Sequence, residues 1–138
     1  MRVALFATCL GDQFFADACA DAVRLLRHLD VAVDFPAGQT CCGQPAYNSG
    51  HAAEARRMAA HTTRVFEDCD YVVLPSGSCA GMIRCFYPEI LAGGSGHRPP
   101  RLAERARRLS ARTYELAQFL VDVLNVNSYE IVVGVIVV

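Results

Sequence analysis

Three short apolar runs, "VALFAT" (3–8), "VAVDF" (31–35) and "YVVLP" (71–75), are separated by segments whose apolar residues recur at helical spacing. That alternation leaves few folds open. The first run fits a buried strand of a parallel sheet, while "VAVDF" alternates and reads as a second strand; parallel strands must be joined by crossovers. The intervening segments are long enough to be those crossovers. Residues 12–29 carry a stripe of Phe15, Ala18, Cys19, Ala22, Leu26 and Leu29, with Asp17, Asp21, Arg24 and Arg27 elsewhere. Residues 51–66 place Ala55, Met58, Ala59, Thr62, Val65 and Phe66 on one side.

After the third run, "SGSCAG" reads as a turn leading into a helix from about 79 to 91, and "GGSGHRPP" (93–100) as a flexible connection. Residues 101–124 are expected to be helical, with a break near Thr113 and a buried stripe of Leu102, Ala106, Leu109, Leu116 and Leu120. The order β-α-β-α-β-α-α predicts an α/β fold: a three-layer, Rossmann-like domain over residues 1–124, with a parallel sheet and right-handed crossovers. The remaining residues, 125–138, form an atypical apolar tail. Its "SYEIVVGVIVV" is β-prone, and reads either as an added strand or as an unprotected, aggregation-prone end.

Composition narrows the class. Of 138 residues 53% are apolar and 20% charged, which suits a packed core and argues against disorder. A formal net charge of −1 gives no general attraction to nucleic acid or anionic lipid. No stretch is long and apolar enough to span a bilayer. "MRVALFATCLG" lacks the apolar core and small-residue cleavage site of a secretion signal, so the expected location is the cytoplasm. Thiols stay reduced there. Seven cysteines, an odd number, then point to metal binding or catalysis rather than a disulfide framework.

The cysteines fall into two groups. Cys9 follows the first run, Cys41 and Cys42 the second, and Cys79 the third. In a parallel sheet all of these lie beyond the carboxyl ends of the strands, the edge where open α/β sheets bind ligands. Four thiols distant in sequence would meet there. Cys19, Cys69 and Cys85 read instead as buried structural residues. Converging thiolates suit iron–sulfur clusters or zinc. Cys79 would open a helix, where free N–H groups and the helix dipole lower a thiol pKa. Gly77 and Gly81 would let backbone approach a bulky group, and Gly43 would take φ > 0 to turn the adjacent sulfurs toward one site. Common zinc spacings leave two or more residues between ligands, whereas a multi-iron cluster offers separate irons to neighbouring sulfurs.

The spacing C-x31-C-C-G-x35-C, with "LFATCLGDQFF", "VDFPAGQTCCGQPAYNSG" and "YVVLPSGSCAGM", resembles the cysteine-rich CCG-domain family. That family includes a subunit of heterodisulfide reductase, the iron–sulfur subunit of glycolate oxidase and, nearest to this chain, the lactate-utilization members. The likeness covers roughly residues 1–124 and a single CCG repeat, the first. It implies a cytoplasmic iron–sulfur electron-transfer subunit, or a fragment of one, in a complex that oxidises L-lactate or a related 2-hydroxy acid. Such an oxidoreductase subunit works with the complex's other subunits and is not catalytic alone. The implied ligands are Cys9, Cys41, Cys42 and Cys79. The implied cofactor is a 4Fe–4S cluster, cubane or of the non-cubane kind held by heterodisulfide reductase.

Three features depart from the family pattern. Met82 stands where the motif C-x-x-C ends, only one repeat is present, and the tail does not match. The residues therefore leave open a zinc- or thiol-containing assembly module, including one that closes a Cys41–Cys42 disulfide, and an inactive truncated remnant.

Other residues carry less. His51 reads as a surface residue at a helix start, with a supplementary ligand as its alternative. Arg101, Arg105, Arg108 and Arg112 read as a solvated basic stripe or a docking face for an acidic partner. Ser76, Ser78, Asn48 and Tyr47 are candidate hydrogen-bond donors to sulfur, and the two serines are equally candidate helix caps. The absence of H-E-x-x-H, GxGxxG and Walker patterns gives no support for a zinc hydrolase or nucleotide site.

Overall fold

A computed structural model describes residues 1–93 and 100–126. The three apolar runs form β1 (Arg2–Leu5), β2 (Ala32–Asp34) and β3 (Tyr71–Leu74), all parallel. A fourth parallel strand, β4 (Thr113–Glu115), pairs with β3 and gives the order β2-β1-β3-β4. The chain is thus an α/β domain with helices on both faces of an all-parallel sheet.

Alternate strand residues feed the two faces. Ala4, Phe6, Val72 and Leu74 join one core with Ala59, Phe66, Tyr87, Ala106 and Leu109. Phe6 and Phe66 stack there with ring centroids 5.3 Å apart. Val3 and Val73 face the other core with Leu26, Val31 and Phe119. β1 and β3, buried on both sides, have no polar face to present, hence their apolar runs, whereas the edge strand β2 leaves Ala32 and Asp34 exposed.

The helices are α1 (Cys9–Phe14), α2 (Ala16–His28), α3 (Gln44–Asn48), α4 (Ala52–Val65), α5 (Gly77–Gly81), α6 (Tyr87–Ala92), α7 (Pro100–Ala111) and α8 (Leu116–Asp122). A π-helical turn, Met82–Phe86, joins α5 to α6. From β1 the chain crosses to β2, then back past β1 to β3, and on to β4. Connections therefore depart in opposite directions from β1 and β3. The carboxyl ends of these two strands flank the topological switch point, the usual crevice for ligands in such sheets.

Several expectations are corrected. Residues 12–29 are not one helix: Phe15 (φ −135°, ψ 41°) makes a corner between α1 and α2. Of the expected stripe Cys19, Ala22 and Leu26 are buried, but Phe15 is 65% exposed, because the corner turns it away from the sheet. The break near Thr113 is β4, so Leu102, Ala106 and Leu109 pack on one face of the sheet while Leu116 and Leu120 pack on the other. The short helix α3 replaces part of the expected loop. The basic stripe is only half solvated: Arg101 and Arg108 are exposed, while the other two are engaged. Arg105 pairs with Glu67, and Arg112 donates to the Phe66 and Glu67 carbonyls at the end of α4. Most of the 93–100 connection and residues 127–138 of the apolar tail lie outside the described residues.

Candidate functional site

Each strand end delivers its cysteine by a different local device. After β1, Thr8 caps α1: its hydroxyl accepts from the Gly11 N–H at 3.0 Å, which fixes Cys9 as the first helical residue. After β2, the loop reaches Cys41 and Cys42 and turns at Gly43, whose φ is +86°. That left-handed backbone is one an L side chain resists. After β3, Cys79 lies in the first turn of α5, and it is buried.

The four thiols converge as two pairs. The Cys9 and Cys41 sulfurs are 3.6 Å apart and half-buried. The Cys42 and Cys79 sulfurs are 3.4 Å apart and buried. The pairs adjoin because Cys41 of one and Cys42 of the other are consecutive residues. Adjacent Cys41 and Cys42 thus point to different partners, Cys9 on one side and Cys79 on the other. This is the physical use of the doubled cysteine, and it disfavours a Cys41–Cys42 disulfide. Among the described residues no group of three or more His, Cys, Asp or Glu side chains closes into a ready metal cage.

Electrostatics separates the thiols. The Cys79 pKa is lowered to about 6, first by the hydrogen bond from the Cys42 thiol and then, against burial, by the Ser76 and Ser78 hydroxyls. The Cys42 thiol is pushed far up, by that same bond and by burial. The inner pair therefore shares one proton and carries one negative charge near neutral pH. Burial, followed by the bond to and the charge of Cys41, raises Cys9. The outer pair lines an open cleft of about 330 Å³ with Asp12, Gln13, Phe35 and Gln39.

The donor set fits a thiophilic metal or cluster: four unbridged cysteines, one of them a thiolate near neutral pH. A Cβ at Gly77 or Gly81 would meet no atom within 4 Å, so packing requires neither glycine; each stands two residues from Cys79 on the same helix and faces away from it. Ser76, at the N-cap of α5, makes no side-chain cap bond; its hydroxyl lies 3.3 Å from that of Ser78.

A model of the cysteine-rich domain designated CCG matches residues 3–84. The chain belongs to this CCG family. Its relatives include lactate utilization protein A of Geobacillus kaustophilus, 52% identical over 126 residues, which are 91% of this chain and 50% of that one. The Geobacillus thermodenitrificans protein of the same name is 51% identical over the same shares of both chains. Lactate utilization protein A 2 of Bacillus cereus strain Q1 is 45% identical over 94% of this chain and 52% of its own length. The chain therefore spans about half the length of the curated relatives it matches. No solved structure matches it significantly.

Elsewhere, Cys19 and Cys69 are buried as expected, whereas Cys85, on the run that includes the π-helical turn, is exposed. Met82 is 1% exposed and packs in the core that holds Cys42 and Cys79. His51 is an exposed residue at the start of α4. Tyr47 packs on Phe86, and Asn48 is exposed. Two residues at the site had no place in the motif. Gln39 accepts from the Ala7 N–H at 2.9 Å and donates to the Leu5 carbonyl at 3.3 Å. Tyr87, fully buried, donates to the Cys42 carbonyl at 2.7 Å. A tyrosine on a buried helix face does carry one signal, since its hydroxyl must find an acceptor; a glutamine in a loop carries none. Among the described residues no helix is long and apolar enough to cross a membrane.

Proposed function

We propose that this chain is an iron–sulfur electron-transfer module of a lactate-utilization system, with Cys9, Cys41, Cys42 and Cys79 as the ligands of one cluster. The observation that carries this reading is the meeting of four thiols from three strand ends as two adjoining pairs. The names of the half-matched relatives supply the lactate context. A bound cluster would supply one-electron transfer, with its potential set by burial and by hydrogen bonds to sulfur.

The chain's own residues do the rest. The inner pair carries one shared proton near neutral pH, so it releases one proton rather than two when a metal binds. Ser76 and Ser78, whose hydroxyls lie 3.3 Å apart, help to lower the Cys79 pKa. The buried inner pair excludes water, and the half-buried outer pair faces the open cleft, the side from which electrons enter or leave. Oxidation of lactate itself belongs to partner subunits or to the portion of full-length relatives that this chain does not span.

A second reading is supported by the same two short sulfur–sulfur contacts: a dithiol module that holds zinc or closes Cys9–Cys41 and Cys42–Cys79 bonds on oxidation. Single serine substitutions separate the readings. Under the cluster reading, Cys42→Ser or Cys79→Ser in anaerobically prepared protein loses most of its iron, while Cys19→Ser and Cys85→Ser keep it. Unchanged iron in Cys42→Ser would remove that residue from the ligand set.

A further inference from the structure

We propose that Gln39 and Tyr87 are positioning residues, each holding one thiol pair together: Gln39 the Cys9–Cys41 pair, Tyr87 the Cys42–Cys79 pair. The proposal deepens the cluster reading and rests on it only in taking the four thiols as one site.

Sulfurs carried by separate loops keep a 3–4 Å spacing only if the loops are tied close to them. Gln39 lies two residues before Cys41. Its amide grips the backbone of the β1 end at Ala7, two residues before Cys9, and at Leu5. One side chain thus joins both segments that supply the outer pair. Glutamine can accept from one group and donate to the other, whereas glutamate can only accept. The loop is held once more at Gly38, whose carbonyl lies 2.7 Å from His61 Nε2.

Tyr87 does the same for the inner pair. It stands on the helical run that begins at Gly77 and carries Cys79. Its hydroxyl reaches back to the peptide of Cys42, so the element bearing one sulfur grips the backbone of the other. The ring is fully buried in the core that contains Cys42 and Cys79, which fixes the direction of the hydroxyl. The two ties share no atom, so each pair should loosen separately.

The test is the alkylation rate of each cysteine in the reduced, metal-free chain, with iodoacetamide as probe and peptide mapping as readout. Cys19 and Cys69, both buried and neither in a pair, report global opening. Losing one hydrogen bond makes local opening about three- to tenfold easier. Tyr87→Phe should therefore speed Cys42 and Cys79 by that factor and leave Cys9, Cys41, Cys19 and Cys69 unchanged. Gln39→Ala should speed Cys9 and Cys41 alone, and Gln39→Glu, which keeps the bond from Ala7, should fall between Gln39→Ala and the parent chain.

Acceleration of all cysteines together would mark a general structural role and overturn the proposal. So would unchanged rates at the pair each residue is said to hold. If Tyr87→Phe unfolds the chain, Cys19 and Cys69 accelerate with the rest, and that too overturns it. Iron and sulfide content is measured separately. Pair-selective rates in a chain that never takes up iron would uphold the two ties and overturn the cluster.

Discussion

Replacing Gly43 by alanine tests how the doubled cysteine is presented. Gly43 sits at φ +86° and ψ 1°, where an alanine backbone costs about 1–2 kcal/mol. The unfolded chain loses freedom on the same substitution, which returns up to about 1 kcal/mol. The new Cβ would lie 3.1 Å from Met58 Cβ and 3.5 Å from the Ala55 carbonyl on α4. Crowding of that kind in a packed interior adds about 1–3 kcal/mol. The expected loss is about 2–3 kcal/mol for Gly43→Ala. Gly50 is the internal control: its φ is +80°, but a Cβ there meets nothing within 4 Å. Gly50→Ala should therefore lose about 1 kcal/mol or less, the backbone cost without the contact. Urea unfolding of the three proteins, with a common m-value, gives both differences. Equal losses at the two glycines would refute the assigned contact with α4, and a neutral Gly43→Ala would refute the turn argument itself.

Other outcomes follow from burial and charge. Phe66 is fully buried and stacked on Phe6, so Phe66→Ala should cost about 3–5 kcal/mol in the same melts. Phe14, 73% exposed, should change stability by no more than about 0.5 kcal/mol on conversion to serine. With its pKa lowered to about 6, Cys79 should give the metal-free chain one thiolate's ultraviolet absorbance at neutral pH. That absorbance should fade on acidification through about pH 6 and be missing in Cys79→Ser. The sign for stability follows. Between about pH 6 and the ordinary thiol value of 9.0 the unfolded chain holds the Cys79 proton and the folded chain does not, so stability rises with pH across that window. Above it the raised Cys42 keeps its proton only when folded, and stability falls. A flat profile across both windows would contradict the assigned charge state.

The parallel α/β plan was legible because strands buried on both faces write unbroken apolar runs, and the helices between them write a clear period. The gathering of Cys9, Cys41, Cys42 and Cys79 followed from the same plan, since each comes just after a strand. What the pattern hid was short or out of phase. β4 is three residues, Thr113–Glu115, set between helices α7 and α8; the sequence marked a break near Thr113 but not that the break is a strand. The corner at Phe15 breaks an otherwise regular helical repeat and leaves the exposed Leu10, Phe14 and Phe15 around it. The buried reading of Cys85 rests on the usual burial of cysteine and not on helical phase, and on a run that includes a π-helical turn it is exposed. The pairing of Cys41 with Cys9 and of Cys42 with Cys79 was not readable either. It depends on the left-handed turn at Gly43 and on the ties made by Gln39 and Tyr87, which leave no repeating mark in a sequence.

The most direct test of the four-thiol centre is analysis of anaerobically purified protein for iron, acid-labile sulfide and zinc, joined to electron paramagnetic resonance after one-electron reduction or oxidation. A brown protein with comparable iron and sulfide, and a cluster signal lost in Cys42→Ser, is the predicted result. A colourless protein that holds stoichiometric zinc, or no metal at all, after reconstitution with iron and sulfide would contradict it.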